Sequence, residues 1–261
     1  MTRQSRNWFD DASVARRYRV ARPRFYHRVI DRIRARLAKD GKRRVHLALD
    51  VACGPGLFAA ELARLADEVI AIDPAPAMLR HALRRKNIRY VRGPAERLPV
   101  DHDSIELISV GLAYHWFRQP AFLQEAYRAL APGGLLAVFS HACEFRMVGD
   151  GRLRRWADRS FFSAFPAVPR AGEFVTADAA RRAKLALERR QRFRHAMEFD
   201  ARSFVEYICT HSNVLAKIGS DPRKLAETRR RLRRELVPVF GRGKRAVWFT
   251  GTLQFLAKTS S

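Results

Sequence analysis

Between residues 45 and 140, short apolar runs alternate with helix-periodic segments, and no other feature restricts the fold as tightly. VHLALDVA (45–52) is a continuous apolar run of the kind buried on both faces of a parallel sheet. LFAAELARLA (57–66) has helical spacing, EVIAID (68–73) reads as a second strand, and PAPAMLRHALRR (74–85) as a helix with prolines in its first turn, where they are tolerated. IRYVRG (88–93) and SIELISVG (104–111) are the third and fourth strands, AFLQEAYRAL (121–130) a helix and LLAVFS (135–140) the fifth strand. Alternation at this pitch implies βαβ units on a parallel sheet. The expected class is α/β: a Rossmann-like, mostly parallel seven-stranded sheet with helices on both faces.

The flanks are less regular. Phe25, Val29, Ile33 and Leu37 recur at helical spacing within residues 24–39, with arginines between them. Residues 151–190 read as helical and Arg-rich, interrupted by FPAVPRAG (165–172). FRHAMEFD (193–200) fits a strand, 201–218 and 221–237 fit two helices, and VWFTGTLQFLA (247–257) a late strand. A sheet finished by such late strands, with a helical insertion over it, accounts for the whole chain as one domain.

A chain of 261 residues has room for one well-filled α/β core. No apolar run approaches the roughly 18 residues of a membrane span. The opening MTRQSRNWFDD lacks the apolar stretch of a secretory signal, and Asp10–Asp11 argues against a transit peptide, so a cytoplasmic location without membrane contact is expected. Cys53, Cys143 and Cys209 have neither disulfide nor zinc spacing, so no metal is expected. The net charge of +25 invites a nucleic-acid reading. Yet only 8 of the 51 basic residues are Lys and the arginines are spread throughout, which favours a solvated Arg-rich surface. Such a field still attracts anionic small molecules.

The chemistry begins at LDVACGPG (49–56), where a strand runs through Cys53–Gly54–Pro55–Gly56 into a helix. Glycines let the backbone approach a ligand, and the helix start offers N–H groups to it. Gly54-x-Gly56-x-x-Ala59 also satisfies the dinucleotide fingerprint, with Asp73 at the tip of the second strand as the ribose-binding acid of either reading. Three features separate the two. Asp50 just before the loop would repel a pyrophosphate but suits a ligand bearing ammonium and sulfonium charges. GPAERLP (93–99) supplies a turn able to read an adenine edge, and APGG (131–134) turns sharply into the fifth strand.

With these motifs in place, the sequence resembles the class I S-adenosylmethionine (SAM)-dependent methyltransferases, and within them the small-molecule branch of trans-aconitate-methyltransferase-like proteins. LDVACGPG, VIAIDPAPAML, GPAERLP, GLAYHWF and RALAPGGLLAV carry the resemblance, with YRVARPRFY (18–26) similar to a Y-x-x-x-R-P-x-Y segment of that branch. The resemblance implies SAM as cofactor. It assigns Asp50 and the loop containing Ala52, Gly54 and Gly56 to the methionine moiety and Asp73 to the ribose hydroxyls. Met78, Ala95 and Glu96 fall beside the adenine, and Gly111 borders the methyl group. Ala52 replaces the usual first glycine, and Pro94 stands where an Asp or Ser often contacts the adenine amine. The implied layout is a lid and helix at 1–40, a SAM-binding core at 45–140, a substrate-shaping insertion at 141–245 and a final strand at 246–261.

GLAYHWFRQP (111–120) follows the fourth strand at the carboxyl edge of the sheet, where open α/β folds place ligands. His115 is the candidate catalytic base and Trp116 a platform for a planar substrate or the sulfonium. Ordinary packing competes for both, and for Met78. Tyr18, Arg22 and Tyr26 are assigned to a lid, with Arg22 placed to pair with an anionic acceptor. His211 and Ser212 fall on a helix that could close the pocket. Since the sulfonium is already activated, alignment and exclusion of water can supply much of the acceleration without a base. The expected activity is methylation of an O or N atom of a small carboxylate or heterocycle, with secondary metabolism as its setting. The expected state is monomer or homodimer. RNA or DNA methylation is the competing reading, and it lacks an Asn/Asp-Pro-Pro-Tyr motif after the fourth strand. A NAD-dependent oxidoreductase and a non-catalytic SAM-binding protein are the remaining alternatives.

Overall fold

The computed structural model describes residues 8–188 and 190–259 and places the five apolar runs side by side in one sheet. Residues 1–7 of the basic opening lie outside the described residues. In chain order the elements are α1 (Ala12–Ala21), α2 (His27–Lys39), β1 (Val45–Val51), α3 (Ala59–Leu62), β2 (Ala66–Asp73), α4 (Pro76–Arg80), β3 (Ile88–Arg92), β4 (Ile105–Gly111), α5 (Gln119–Ala129), β5 (Leu130–Met147), α6 (Arg152–Trp156), α7 (Phe162–Ala164), α8 (Ala177–Arg182), β6 (Leu185–Leu187), β7 (Gln191–Phe199), α9 (Ala201–Ile208), α10 (Ser212–Ile218), α11 (Pro222–Phe240) and β8 (Arg245–Lys258). A 3₁₀ turn occupies Tyr114–Trp116, and a π-helical turn, Ala157–Phe161, joins α6 to α7.

The eight-stranded sheet has the order β3-β2-β1-β4-β5-β8-β6, with β7 pairing β8 off this path. β1 runs parallel to β2 and β4, β2 to β3, and β4 to β5, while β6 is antiparallel to β8. This is the Rossmann-like α/β architecture, with one more strand than the apolar runs suggest. Chain order reverses at β1, between β2 and β4, and the loops leaving the carboxyl ends of β1 and β4 therefore flank the crevice where such sheets bind ligands.

Several elements differ from their sequence pattern for identifiable reasons. The helix expected over 57–66 is only α3, because Ala66 pairs with Val45 and must already be extended. α4 ends at Arg80, and just beyond it the Leu83 N–H donates to Pro55 O (3.1 Å), tying the chain to the glycine loop. APGG lies within β5, where an advance of five residues, from Leu130 to Leu135, matches an advance of two on β4, from Ile105 to Leu107, a bulge. Gly134 is needed there: a Cβ would lie 2.8–2.9 Å from the carbonyls of Ala131 and Ile105. Leu185–Leu187, read as helical, is β6. The helix expected over 201–218 breaks into α9 and α10, since His211 adopts an extended conformation and the Thr210 hydroxyl caps Tyr207 O at 2.6 Å.

The chain divides into two units, with boundaries falling inside β5 and β8. The sheet unit comprises Arg24–Ser140, Arg170–Arg192 and residues from Thr252 onward, around a core including Leu49, Ile108, Phe122 and Val138. The accessory unit comprises residues up to Pro23, His141–Pro169 and Phe193–Gly251. In it α9 packs on both α1 and α11, over Phe145, Phe204, Leu232 and Phe249. Among the described residues, no helix is long and apolar enough to cross a membrane.

Candidate active site

Asp50 occupies the penultimate position of β1, directly opposite Ser109 of β4 in the parallel register. Its side chain is buried, and Oδ1 accepts a hydrogen bond from Ser109 Oγ at 2.8 Å. Oδ2 is buried with no partner of normal hydrogen-bond geometry. Burial pushes the Asp50 pKa up to about 7, against the Ser109 hydrogen bond, with the negative charge of Asp73 adding to the rise and the Ala59 N–H opposing it weakly. A half-satisfied carboxylate in the interior is costly unless a cationic partner arrives.

The loop leaving β1 is shaped by left-handed backbone. Ala52 has φ +56° and Gly56 φ +71°. A Cβ on Gly56 would lie 2.1 Å from the Tyr90 hydroxyl oxygen, which itself donates to Leu83 O at 2.6 Å, so glycine is required by both conformation and space. Ala52 tolerates the same region at a cost of about 1–2 kcal/mol.

Asp73 fastens this loop to the end of β2. Its Oδ2 accepts from the Gly54 N–H (2.9 Å) and its Oδ1 from the Ala75 N–H (2.8 Å). Two backbone donors fix the carboxylate plane, the preorganisation that recognition of vicinal hydroxyls requires. Met78 is buried, with Sδ 4.0 Å from the Cβ position of Gly54. Asp50, the loop, Asp73 and Met78 thus lie together at the carboxyl ends of β1 and β2.

The residues assigned to the adenine side follow β3. Ala95 is buried in the apolar core of the sheet unit. Glu96 accepts the Arg118 N–H at 2.7 Å and so links the turn after β3 to the segment after β4.

At the end of β4, a Cβ on Gly111 would lie 2.3 Å from Phe139 Cζ. Leu112 turns the chain with φ +59° and donates its N–H to Phe139 O (2.9 Å), which leads into the Tyr114–Trp116 turn. The His115 and Trp116 rings lie 4.8 Å apart. Trp116 is 43% exposed, unusual for tryptophan, and the Arg170 guanidinium sits 5.4 Å from its ring centre. Gln119 holds this segment in place through Gly172 O (2.6 Å). Burial, followed by the Arg170 charge, lowers the His115 pKa to about 4, so the imidazole is neutral near pH 7.

The lid residues divide between the units. Tyr18 and Arg22 belong to the accessory unit and Tyr26 to the sheet unit. Arg22 donates to Thr210 O (3.2 Å) and lies 4.5 Å from the Tyr18 ring centre and 5.6 Å from that of Tyr207. Tyr26 is buried, 4.4 Å from the ring of Phe25 and 5.8 Å from that of Phe58. His211 packs edge-on against Tyr207 at 4.6 Å, and Ser212 is buried.

Sequence reasoning missed Ser109, although a lone hydroxyl in the apolar end of SIELISVG was a usable signal. It also missed Arg170, which lies inside the irregular turn, and the buried pair His141–His195, whose Nε2 atoms are 2.9 Å apart in the accessory unit. Among the described residues, no group of three or more His, Cys, Asp or Glu side chains is placed to hold a metal ion.

Residues 49–138, which contain this constellation apart from Arg170 and the lid, match the family described as the methyltransferase domain. This stretch of the chain is similar to methyltransferase domains. A candidate methyltransferase of Dictyostelium discoideum is 31% identical over 135 residues, 51% of this chain and 50% of that protein. The demethylmenaquinone methyltransferase of Chlorobaculum tepidum is 37% identical over 114 residues, 42% and 46% of the two chains. The chain thus spans about half the length of these curated relatives. A candidate type II methyltransferase of Anaeromyxobacter dehalogenans, 24% identical, shares the fold with a TM-score of 0.58 over 83% of this chain and 90% of that one. The residues present fit SAM, the methyl donor that the resemblance implies: the unpartnered Asp50 oxygen suits the methionine ammonium, and the fixed Asp73 carboxylate suits the ribose hydroxyls.

Proposed function

We propose that the protein transfers the SAM methyl group to a small anionic acceptor, a carboxylate in preference to an amine or alcohol. SAM, when bound, supplies an electrophilic methyl group and a neutral leaving group. The chain's own residues hold and orient. Asp50 carries the ammonium, Asp73 the ribose, and the loop at 52–56 the space between them.

The observation that carries the acceptor class is the cluster His115–Trp116–Arg170 after β4. A half-exposed tryptophan beneath a guanidinium offers a face for a planar group and a positive charge for an anion. A histidine with its pKa lowered to about 4 is a poor base near neutrality, where efficient general bases have matched pKa values. It serves to accept a hydrogen bond and position the acceptor. An acceptor that is already ionised needs no more, because a carboxylate oxygen has no proton to lose. The trans-aconitate-methyltransferase-like branch, a cytoplasmic location, and the layout with a substrate-shaping insertion at 141–245 belong to the same proposal.

The test is incubation of the full chain with methyl-labelled SAM and host-cell extract at about 0.15 M salt, which screens exposed charge beyond roughly 8 Å. Label in the low-mass fraction, released by mild alkali as expected of a methyl ester, supports the reading. Label confined to nucleic acid or protein contradicts it.

A further inference from the structure

A concentration of positive charge lies in the accessory unit, on residues to which the proposed methyl transfer assigns no role. A groove of about 520 Å³ is lined by Arg202 and Glu206 of α9 and by Ala226, Arg229, Arg230 and Arg233 of α11. Glu206 pairs with Arg229 and, at 3.5 Å, with Arg233, so a single carboxylate faces four guanidinium groups. Arg17 of α1 adds a fifth cation close enough to Arg229 and Glu206 to interact with both, and burial lowers its pKa. The Nε atoms of Arg17 and Arg229 are buried without a hydrogen-bond partner. Excess positive charge together with unsatisfied donors describes a site awaiting an anion.

The form of the surface narrows the anion. α11 has 19 residues, about 28 Å of helix, and carries seven Lys and Arg side chains against two Glu. Arg223, Lys224, Arg230, Arg233 and Arg234 are all exposed. A small anion would occupy only part of this length, whereas a nucleic-acid strand presents a phosphate about every 3.4 Å. The groove has no aromatic lining residue, so it lacks the stacking platform that single strands use. A membrane-surface helix would need exposed apolar bulk. Val237 is the one large apolar side chain of α11 counted as exposed among the described residues, while Leu232, Leu236 and Phe240 are buried in the accessory core. We propose that the α9–α11 groove docks the phosphate backbone of a nucleic-acid duplex without reading its sequence. The proposal does not depend on the methyl acceptor.

The test measures binding of the full chain to a DNA duplex of about 20 base pairs, by fluorescence anisotropy over a salt series. Each phosphate contact contributes a slope near −0.9 in log K against log salt. Four groove arginines therefore predict a slope of about −3 to −4. Replacing Arg202→Gln, Arg230→Gln and Arg233→Gln should reduce the slope by about 3 and the affinity near 0.1 M salt more than about tenfold. Removing the same charge from exposed positions of the sheet unit, with Arg85→Gln, Lys86→Gln and Arg89→Gln, should leave the slope within about 0.5. Arg230→Gln alone, which should lower the slope by about 1, decides the matter if the triple variant melts early. Equal losses in the two triples, no salt-dependent duplex binding, or tighter binding to anionic vesicles than to the duplex would overturn the proposal.

Discussion

The two units bury polar groups on opposite terms. In the sheet unit, Asp50 keeps one carboxylate oxygen in the interior with no partner, at the mouth of a loop held open by left-handed backbone. In the accessory unit, His141 and His195 satisfy each other at 2.9 Å between stacked aromatic rings, with Phe249 lying 4.9 Å from His141 and nearly parallel to it. Burial, the neighbouring imidazole and Arg22 hold His141 down to about 2, so its imidazole stays neutral beside that of His195. Under the proposed function, the contrast separates a polar group kept for a ligand from one kept for structure. The first is a liability until its partner binds, whereas the second is already paid for within the fold.

Gly56→Ala should do the most damage to this distinction. The added Cβ meets the Tyr90 hydroxyl and must hold φ +71°, so about 3 kcal/mol of stability should be lost and S-adenosylhomocysteine affinity should fall more than about a hundredfold. Thermal melting and calorimetric titration check both. An unchanged affinity would mean that the loop does not carry the ligand.

His141→Phe comes next. It should cost about 1–3 kcal/mol by removing the hydrogen bond between the two rings, and the double variant with His195→Phe should cost less than the sum of the singles. Strict additivity would show that the two rings do not depend on each other.

The pH response is smaller and sharpens the comparison. The folded pKa of Asp50 is raised, so its contribution to stability is complete below the ordinary carboxylate range and is lost as pH rises through about 7. A cationic ligand prefers the ionised form. S-adenosylhomocysteine should therefore bind about tenfold more tightly at pH 7.5 than at pH 6, and the extra thermal protection should rise with it. A flat profile would assign the ammonium to another group. Ala52→Gly should have the smallest effect, about 0.5 kcal/mol of stabilisation, as relief of the left-handed conformation outweighs the entropy of an added glycine.

The same contrast explains what the sequence made legible. β1, β2, β4 and β5 announce themselves because strands buried on both faces need continuous apolar runs, and Asp50 and Asp73 stand out where those runs end. The accessory unit is assembled from three separated stretches of chain, and its core depends on contacts between residues as distant as Phe145 and Phe249. Periodicity reports neighbours along one element and is silent about such contacts. β6 was hidden for that reason: three residues become a strand only by pairing with β8. Arg170 was hidden too, since its place over Trp116 follows from the path of an irregular turn.

The buried Oδ2 of Asp50, left without a hydrogen bond beside a satisfied Oδ1, is expected to mark the cofactor site. The most direct measurement is calorimetric titration of S-adenosylhomocysteine into the native chain and into Asp50→Asn near pH 7.5. Loss of a charged hydrogen bond worth about 1.5–3 kcal/mol predicts affinity weaker by about ten- to a hundredfold, with the unliganded variant no less stable than the native chain. Equal affinities for the two proteins would contradict the claim.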